Sequence, residues 1–204
     1  MTYGSESRPL LRHAVAAIAG VVAAGVLVAS PAVAHTGLST HGVFDGLTHP
    51  LTGGDHLLAM VAVGVLAALT PDRRIAWLTP AGFLAGMVVG GVAGIVEVAA
   101  PFNELAIAVS LVALGALIVI RSDGRGLWLP VVAAVIGTLH GYAHGAELPN
   151  GTAALGYVAG FVTSTALLHL GGVGIGLQLR KASALRVAAG TLVSGVGVLL
   201  LVSP

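Results

Sequence analysis

Long apolar runs alternate along the chain with short segments that hold most of its charged residues. Past residue 50 the apolar runs cover about 53–69, 76–98, 104–120, 127–145, 153–179 and 184–202. Each run approaches the roughly 20 residues that an α-helix needs to cross a hydrocarbon core. Because lipid offers no hydrogen bonds to the backbone, such runs form helices. The pattern predicts an all-α membrane protein, a compact bundle of six transmembrane helices.

The N-terminal segment has the pattern of a peptide that is removed. Arg8 and Arg12 precede a short apolar run, and the small-residue triplet Ala32–Ala34 follows it. A basic start, an apolar stretch and an A-x-A site are typical of a secretory signal peptide. We predict a signal peptide over 1–34 and a single transmembrane transport domain over 35–204, with an uncleaved first helix as the alternative.

The basic residues lie on alternate loops. All Lys and Arg residues after residue 34 fall at 70–75, 121–126 and 180–186, whereas the segments around 101–103 and 147–151 hold none. Short cytoplasmic loops of membrane proteins carry an excess of Lys and Arg. These three loops are therefore expected in the cytoplasm, and both mature termini on the outer side.

Composition excludes several classes of function. Only 8% of the 204 residues are charged, against roughly 25% in a soluble domain. A net charge of +1 offers no basic surface for nucleic acid. The chain has no cysteine, which excludes thiolate metal sites. It contains neither a phosphate-binding GxxxxGK[ST] loop nor a His-Glu-x-x-His motif, so we expect a protein that is not an enzyme.

Glycines recur every fourth residue in two of the apolar runs. Small residues at this spacing let helix backbones approach closely, where lipid supplies no hydrophobic drive for association. The stripes predict a tightly packed bundle and do not identify its function. They are Gly82, Gly86, Gly90 and Gly94 in the second run and Gly137, Gly141 and Gly145 in the fourth.

Two clusters of ionisable residues lie at the outer ends of predicted spans. One opens span one and the other ends span four. Ionisable side chains inside a membrane are costly, so each is a candidate functional residue. Imidazole and carboxylate together suit nickel, cobalt, zinc or copper better than magnesium or calcium. The predicted metal ligands are His49, Asp55, His56, His140, His144 and Glu147.

Local sequence adds detail to the first cluster. Pro50, Gly53 and Gly54 predict a break in the helix, which would free backbone groups to line a cavity. Met60 lies one helical turn after His56 and offers a thioether as a further ligand. The carboxylates of both clusters are either ligands themselves or partners that orient an imidazole ring.

Other histidines have two interpretations each. Cleavage after Ala34 would expose the α-amine of His35, which together with His41 and Asp45 would form an external capture arm for a metal ion; a solvated polar tail is the alternative. His169 lies in the inner half of span five. It is either a lower station on an ion path or a residue hydrogen-bonded to a neighbouring helix.

At these residues the sequence resembles the HupE/UreJ family of bacterial nickel/cobalt permeases. The resemblance rests on HPLTGGDHLLAM (49–60), LHGYAHGAE (139–147) and GFVTSTALLHLGG (160–172). The first stretch fits the family pattern His-x5-Asp-His, and the second fits HG-x-[AV]-HG-x-E. Leu139 stands where an aromatic residue is usual, a difference that affects packing rather than ligation.

The resemblance implies a secondary importer in the bacterial inner membrane, with Ni2+ or Co2+ as the transported substrate and both mature termini in the periplasm. The site between spans one and four would receive the ion from His35 or His41 and pass it inward near His169. Metal ion and lipid are the expected partners, without an organic cofactor or nucleic acid, and oligomerisation stays open. The alternatives are a haem-binding membrane cytochrome and a metal-binding membrane protein that does not transport.

Overall fold

The computed structural model describes residues 42–120, 127–148 and 154–203. This part of the chain forms seven α-helices and no strand. The predicted signal peptide over 1–34, His35, His41 and the basic loop over 121–126 lie outside the described residues. The helices are α1 Gly42–Thr52, α2 Gly54–Leu69, α3 Arg73–Ile95, α4 Asn103–Ile120, α5 Trp128–Ala146, α6 Ala154–Leu179 and α7 Ser183–Val202.

Several of these helices are long and apolar enough to cross a membrane. α3, α4, α7 and residues Leu155–Leu179 of α6 pass this test singly, and α1 with α2 passes it as one bent pair. α5 is not among them, because its histidines and glycines lower its mean hydropathy. The chain is thus a multi-pass membrane protein, whose described residues are all-helical and include four or five such spans. The sixth span stays a prediction.

The first predicted span is broken. α1 holds Pro50 near its end, and the next helix starts after Gly53, whose backbone is extended. The two helices meet at 85°. Proline lacks an N–H donor and disfavours continuation of a helix through it. The break predicted from Pro50, Gly53 and Gly54 is confirmed.

α2 forms the centre of the bundle. From Leu58 to Leu69 nearly all of its residues are buried. It packs against α6 along its length and also contacts α3 and α4. Because α1 lies on α6 as well, the helix break brings both halves of the first span against the same neighbour.

α3 and α5 touch through their backbones. A Cβ at Gly86 would lie 1.9 Å from the carbonyl oxygen of Ala134, and one at Gly141 would lie 2.1 Å from that of Met87. Real Cβ atoms do not approach a backbone oxygen so closely. The close packing predicted from the two glycine stripes is therefore confirmed. It fixes the position of α5 against α3.

Two arginines bind the ends of neighbouring helices. The Arg180 guanidinium donates to the carbonyl oxygen of Thr70 at 3.0 Å, and that of Arg186 donates to those of Ile118 at 2.7 Å and Val119. The last carbonyls of a helix have no partner within it. The arginines satisfy these groups where α2 and α4 end, so they lie at the same end of the bundle.

α3 ends in a turn that glycine usually forms. The N–H of Val98 donates to Ala93 O at 3.0 Å and that of Glu97 donates to Gly94 O at 3.1 Å. These two bonds define a Schellman motif, which places one residue in the left-handed region. That residue is Glu97, with φ 57°.

Replacing Glu97 by glycine is expected to stabilise the protein by about 1 kcal/mol, since a side chain at positive φ crowds the following carbonyl oxygen. The apparent unfolding temperature in detergent measures the effect. Glu97→Ala removes the same charge but keeps a Cβ, so it should leave that temperature close to wild type. Equal stabilisation by both variants would show that charge, and not backbone strain, is responsible.

Candidate metal centre

The two predicted clusters meet at one end of the bundle. The first contributes the end of α1 and the first turn of α2, and the second contributes the last turns of α5. His140 and His144 are buried, with 0% and 6% exposure. Five of the six predicted ligands form two overlapping groups of three, which share His144. The sixth, Asp55, lies beside the second group.

The first group is the carboxylate triad, which consists of His49, His144 and Glu147. One ligand atom from each lies within 4.8 Å of the others. His49 Nε2 is 3.4 Å from Glu147 Oε2, and these two side chains keep 29% and 48% exposure. Two imidazoles and a carboxylate at this separation match the donors that divalent transition metals prefer.

The second group is the imidazole triad, which consists of His56, His140 and His144. The ring centroid of His56 is 4.7 Å from that of His140 and 4.3 Å from that of His144. The rings meet edge to face. His144 belongs to both triads, because its ring is also 4.8 Å from that of His49.

Several nitrogens of the imidazole triad are buried without a hydrogen-bond partner among the described residues. They are His56 Nε2, His140 Nδ1 and both ring nitrogens of His144. A buried polar atom without a partner costs about 1–3 kcal/mol. Neutral imidazole nitrogens are also the commonest metal ligands in proteins, so these nitrogens have the chemistry of metal ligands, while the carboxylate triad is the group whose three ligand atoms lie within 4.8 Å of one another.

Asp55 orients the ring of His56. Its Oδ1 accepts the backbone N–H of His56 at 2.8 Å and lies 2.8 Å from His56 Nδ1. A carboxylate can only accept, so Nδ1 carries a proton, and in the neutral ring Nε2 then keeps its lone pair. Of the two roles that the sequence allowed, Asp55 takes that of the orienting partner in this structure.

Aromatic rings surround the histidines. Phe161 lies 4.3 Å from His144 and Tyr157 lies 5.7 Å from His49, measured between ring centroids. Phe83 lies between two buried histidines, 5.9 Å from His140 and 5.2 Å from His169. Sequence inspection missed these three residues; their rarity was the available signal, since aromatic residues make up 4% of the chain.

The remaining predicted ligands lie elsewhere. Met60 is fully buried in the apolar core. His169 is 3% exposed, and neither of its nitrogens has a partner among the described residues. Asp45 lies in the first turn of α1, one turn before His49. His35 and His41 are outside the described residues, so the capture arm stays a prediction.

One polar contact comes from a helix that the sequence motifs do not include. Ser110 in α4 is buried, and its hydroxyl oxygen lies 3.1 Å from His140 Nε2. A single serine in an apolar run gives no sequence signal of such a role.

Comparison with known proteins covers most of the chain. The family model described as HupE / UreJ protein matches residues 21–200, which include both triads. A protein named HupE from Rhizobium leguminosarum bv. viciae is 42% identical over 173 residues, which covers 82% of this chain and 88% of that protein. No solved structure matches the chain.

Proposed function

The chain belongs to the HupE/UreJ family, and from this premise we propose that it imports divalent nickel or cobalt ions across the bacterial inner membrane without hydrolysing ATP. The observation that carries the proposal is that the carboxylate triad and the imidazole triad share His144. An ion bound by one triad is thus already held by a ligand of the other.

We assign the two triads to the periplasmic side. The histidines lie where α2 begins, and Arg180 binds Thr70, where α2 ends. The helical rise of 1.5 Å per residue puts His56 and Thr70 about 20 Å apart along the axis. Because cytoplasmic ends of spans carry the basic residues, the end of α2 that Arg180 binds is the cytoplasmic end. This orientation supports a topology of six spans, in which α1 and α2 form the first span and α5 is the fourth.

Capture begins at the carboxylate triad. Glu147 is exposed and His49 is partly exposed, so a hydrated cation reaches them first, and the carboxylate of Glu147 attracts it. His144 then holds the ion while His56 and His140 replace its remaining water. Exchange of one ligand at a time keeps the charge coordinated, which lowers the cost of moving it into a medium of low dielectric constant.

The route inward passes His169. Its ring contacts the Phe83 ring that also contacts His140, so it is the next imidazole beyond the imidazole triad. We expect His169→Leu to retain binding of nickel at the triads and to lose transport. Transport by that variant at the wild-type rate would remove His169 from the route.

The geometry also bears on the haem alternative. Axial imidazoles must lie on opposite faces of a porphyrin, and the rings of the imidazole triad are in direct contact at 4.3 and 4.7 Å. This spacing supports a bare ion over a haem. The absorbance spectrum of the purified protein tests the choice, because a Soret band would overturn it.

Uptake of radiolabelled nickel and cobalt tests the proposal directly. Cells that lack their own nickel importers should accumulate the ion when they carry the wild-type chain and should lose that ability with His56→Ala or His140→Ala. Immunoblots of the membrane fraction confirm equal amounts of each variant. Wild-type accumulation in both variants would contradict the proposal, and binding without uptake would favour a non-transporting metal-binding protein.

Acidification is expected to weaken uptake below about pH 6, because free imidazole has a pKa of about 6.5 and protons compete with the metal for its lone pair. Initial rates between pH 7.5 and 5.5, measured at constant free metal, check this. Protons and metal compete for the same lone pairs, so the rate falls as pH falls. A flat profile would argue against this competition at the site.

A further inference from the structure

Among the described residues, Ser110 makes the one hydrogen bond to the ring of His140. Its side chain is 4% exposed and lies in α4, whereas His140 lies in α5 and is fully buried. The oxygen of the hydroxyl is 2.7 Å from the carbonyl oxygen of Ile107 and 3.1 Å from His140 Nε2. A serine hydroxyl has one proton to donate and two lone pairs that accept.

The direction of each bond follows from this count. A carbonyl oxygen can only accept, and we assign the single proton of Ser110 to Ile107, because that contact is the shorter of the two. The hydroxyl oxygen must then accept from His140, which places the ring proton on Nε2. A neutral imidazole carries one proton, and Nδ1 of His140 therefore keeps its lone pair. The opposite tautomer would leave a buried N–H at Nδ1 without an acceptor among the described residues.

We propose that Ser110 is a positioning residue that holds His140 as the Nε2–H tautomer and so makes Nδ1 the atom that binds the transported ion. The inference deepens the proposed function and rests on it, since it requires the imidazole triad to bind metal. It distinguishes two ligands of that triad: His56 binds through Nε2 because Asp55 holds its Nδ1 proton, whereas His140 binds through Nδ1.

The two partners differ in charge, and the difference suits transport. A carboxylate on the distal nitrogen raises the basicity of a ligand imidazole, while the hydroxyl of Ser110 is neutral. His140 is then the weaker donor of the two. A weaker donor on one side of the triad lets the ion leave, which a site with two carboxylate-supported imidazoles would resist.

The tautomer can be measured without metal. In full-length protein labelled with 15N-histidine and held in nanodiscs, NMR distinguishes protonated from unprotonated ring nitrogens, and His140→Asn identifies the signal. We expect the Nε2–H form of His140 in the wild type and a mixture of both tautomers in Ser110→Ala. The Nδ1–H form in the wild type, or no change in Ser110→Ala, would overturn the proposal.

Metal affinity provides the second measurement. Loss of a partner that orients a ligand histidine typically costs about 10–100-fold in affinity, so we expect Ser110→Ala to bind Ni2+ and Co2+ that much more weakly and Ser110→Thr to restore binding. Ser194→Ala is the matched control, because Ser194 also bonds a carbonyl of α4, that of Val112 at 3.0 Å, and has no recorded hydrogen bond to a histidine within the described part of the chain.

The outcomes separate the two proposals. Wild-type affinity in Ser110→Ala, or an equal loss in Ser194→Ala, would reduce Ser110 to a packing residue and overturn the inference. If the wild-type protein binds neither metal, the proposed function fails, and the NMR measurement still decides whether Ser110 sets the tautomer of His140.

Discussion

Replacement of His144 by alanine is expected to abolish uptake of nickel and cobalt, with a loss of more than about 100-fold, the upper end of what removal of an orienting partner costs. His144 is the residue common to the carboxylate triad and the imidazole triad. In the proposed mechanism, its removal leaves two ligands in each triad, and the ion loses the residue that bridges the two triads.

Kinetics of uptake separate His144 from its neighbours. His49→Ala weakens the carboxylate triad alone, so we expect a higher KM with little change in the maximal rate. His56→Ala weakens the imidazole triad alone and should lower the maximal rate. His144→Ala should change both. Initial uptake rates over a range of nickel concentrations measure the two parameters in each variant.

A second variant controls for packing. The ring of His144 lies 4.3 Å from that of Phe161, so alanine at this position also leaves space beside an aromatic ring. His144→Leu fills most of that space but offers no nitrogen. If His144→Leu transports at the wild-type rate, ligation by His144 is excluded; if it matches His144→Ala, the lost nitrogens are responsible.

The helices of the bundle follow from the sequence because each apolar run has one stable form in lipid. Runs of about 20 residues must satisfy their own backbone, so the positions of the helices α2 to α7 agree with the six apolar runs to within a few residues. α1 is different, since its 11 residues are too few for a helix that is stable alone. It lies against α6, where Gly46 meets the backbone of Tyr157.

The site is only partly encoded in local sequence. The motifs supply the histidines, but the recorded ring contacts among them all join one motif to the other, His49 to His144 and His56 to both His140 and His144. Which imidazole from one motif meets which from the other depends on how α1, α2 and α5 are packed. The hydrogen bond between Ser110 and His140 joins residues 30 positions apart in the sequence, and no sequence pattern predicts it.

Alanine at Gly86 is expected to be among the most destabilising small substitutions in the bundle. Its Cβ would lie 1.9 Å from the carbonyl oxygen of Ala134, and a backbone atom cannot move aside as a side chain can. Overpacking usually costs about 1–3 kcal/mol, and this contact should reach or exceed the upper end. The same change at Gly174 is the control, because a Cβ there has no neighbour within 4 Å.

The measurements are the apparent unfolding temperature in detergent and the yield of monodisperse protein. Gly86→Ala should lower both. Gly174→Ala should leave them unchanged or raise stability by about 0.5–1 kcal/mol, because alanine leaves the unfolded chain fewer backbone conformations than glycine does. Equal behaviour of the two variants would mean that the helices separate without cost, which contradicts backbone contact between α3 and α5.

Alanine at Gly141 links this packing to the metal centre. Its Cβ would lie 2.1 Å from the carbonyl oxygen of Met87, so α5 must move away from α3 next to His140. Such a shift displaces His140 and His144 together, while His56 stays on α2. We therefore expect the folded fraction of Gly141→Ala to bind nickel more weakly than wild type. The folded fraction of Gly86→Ala should bind nickel more tightly than that of Gly141→Ala. If Gly141→Ala bound nickel more tightly than Gly86→Ala, the position of α5 against α3 would not set the geometry of the triads.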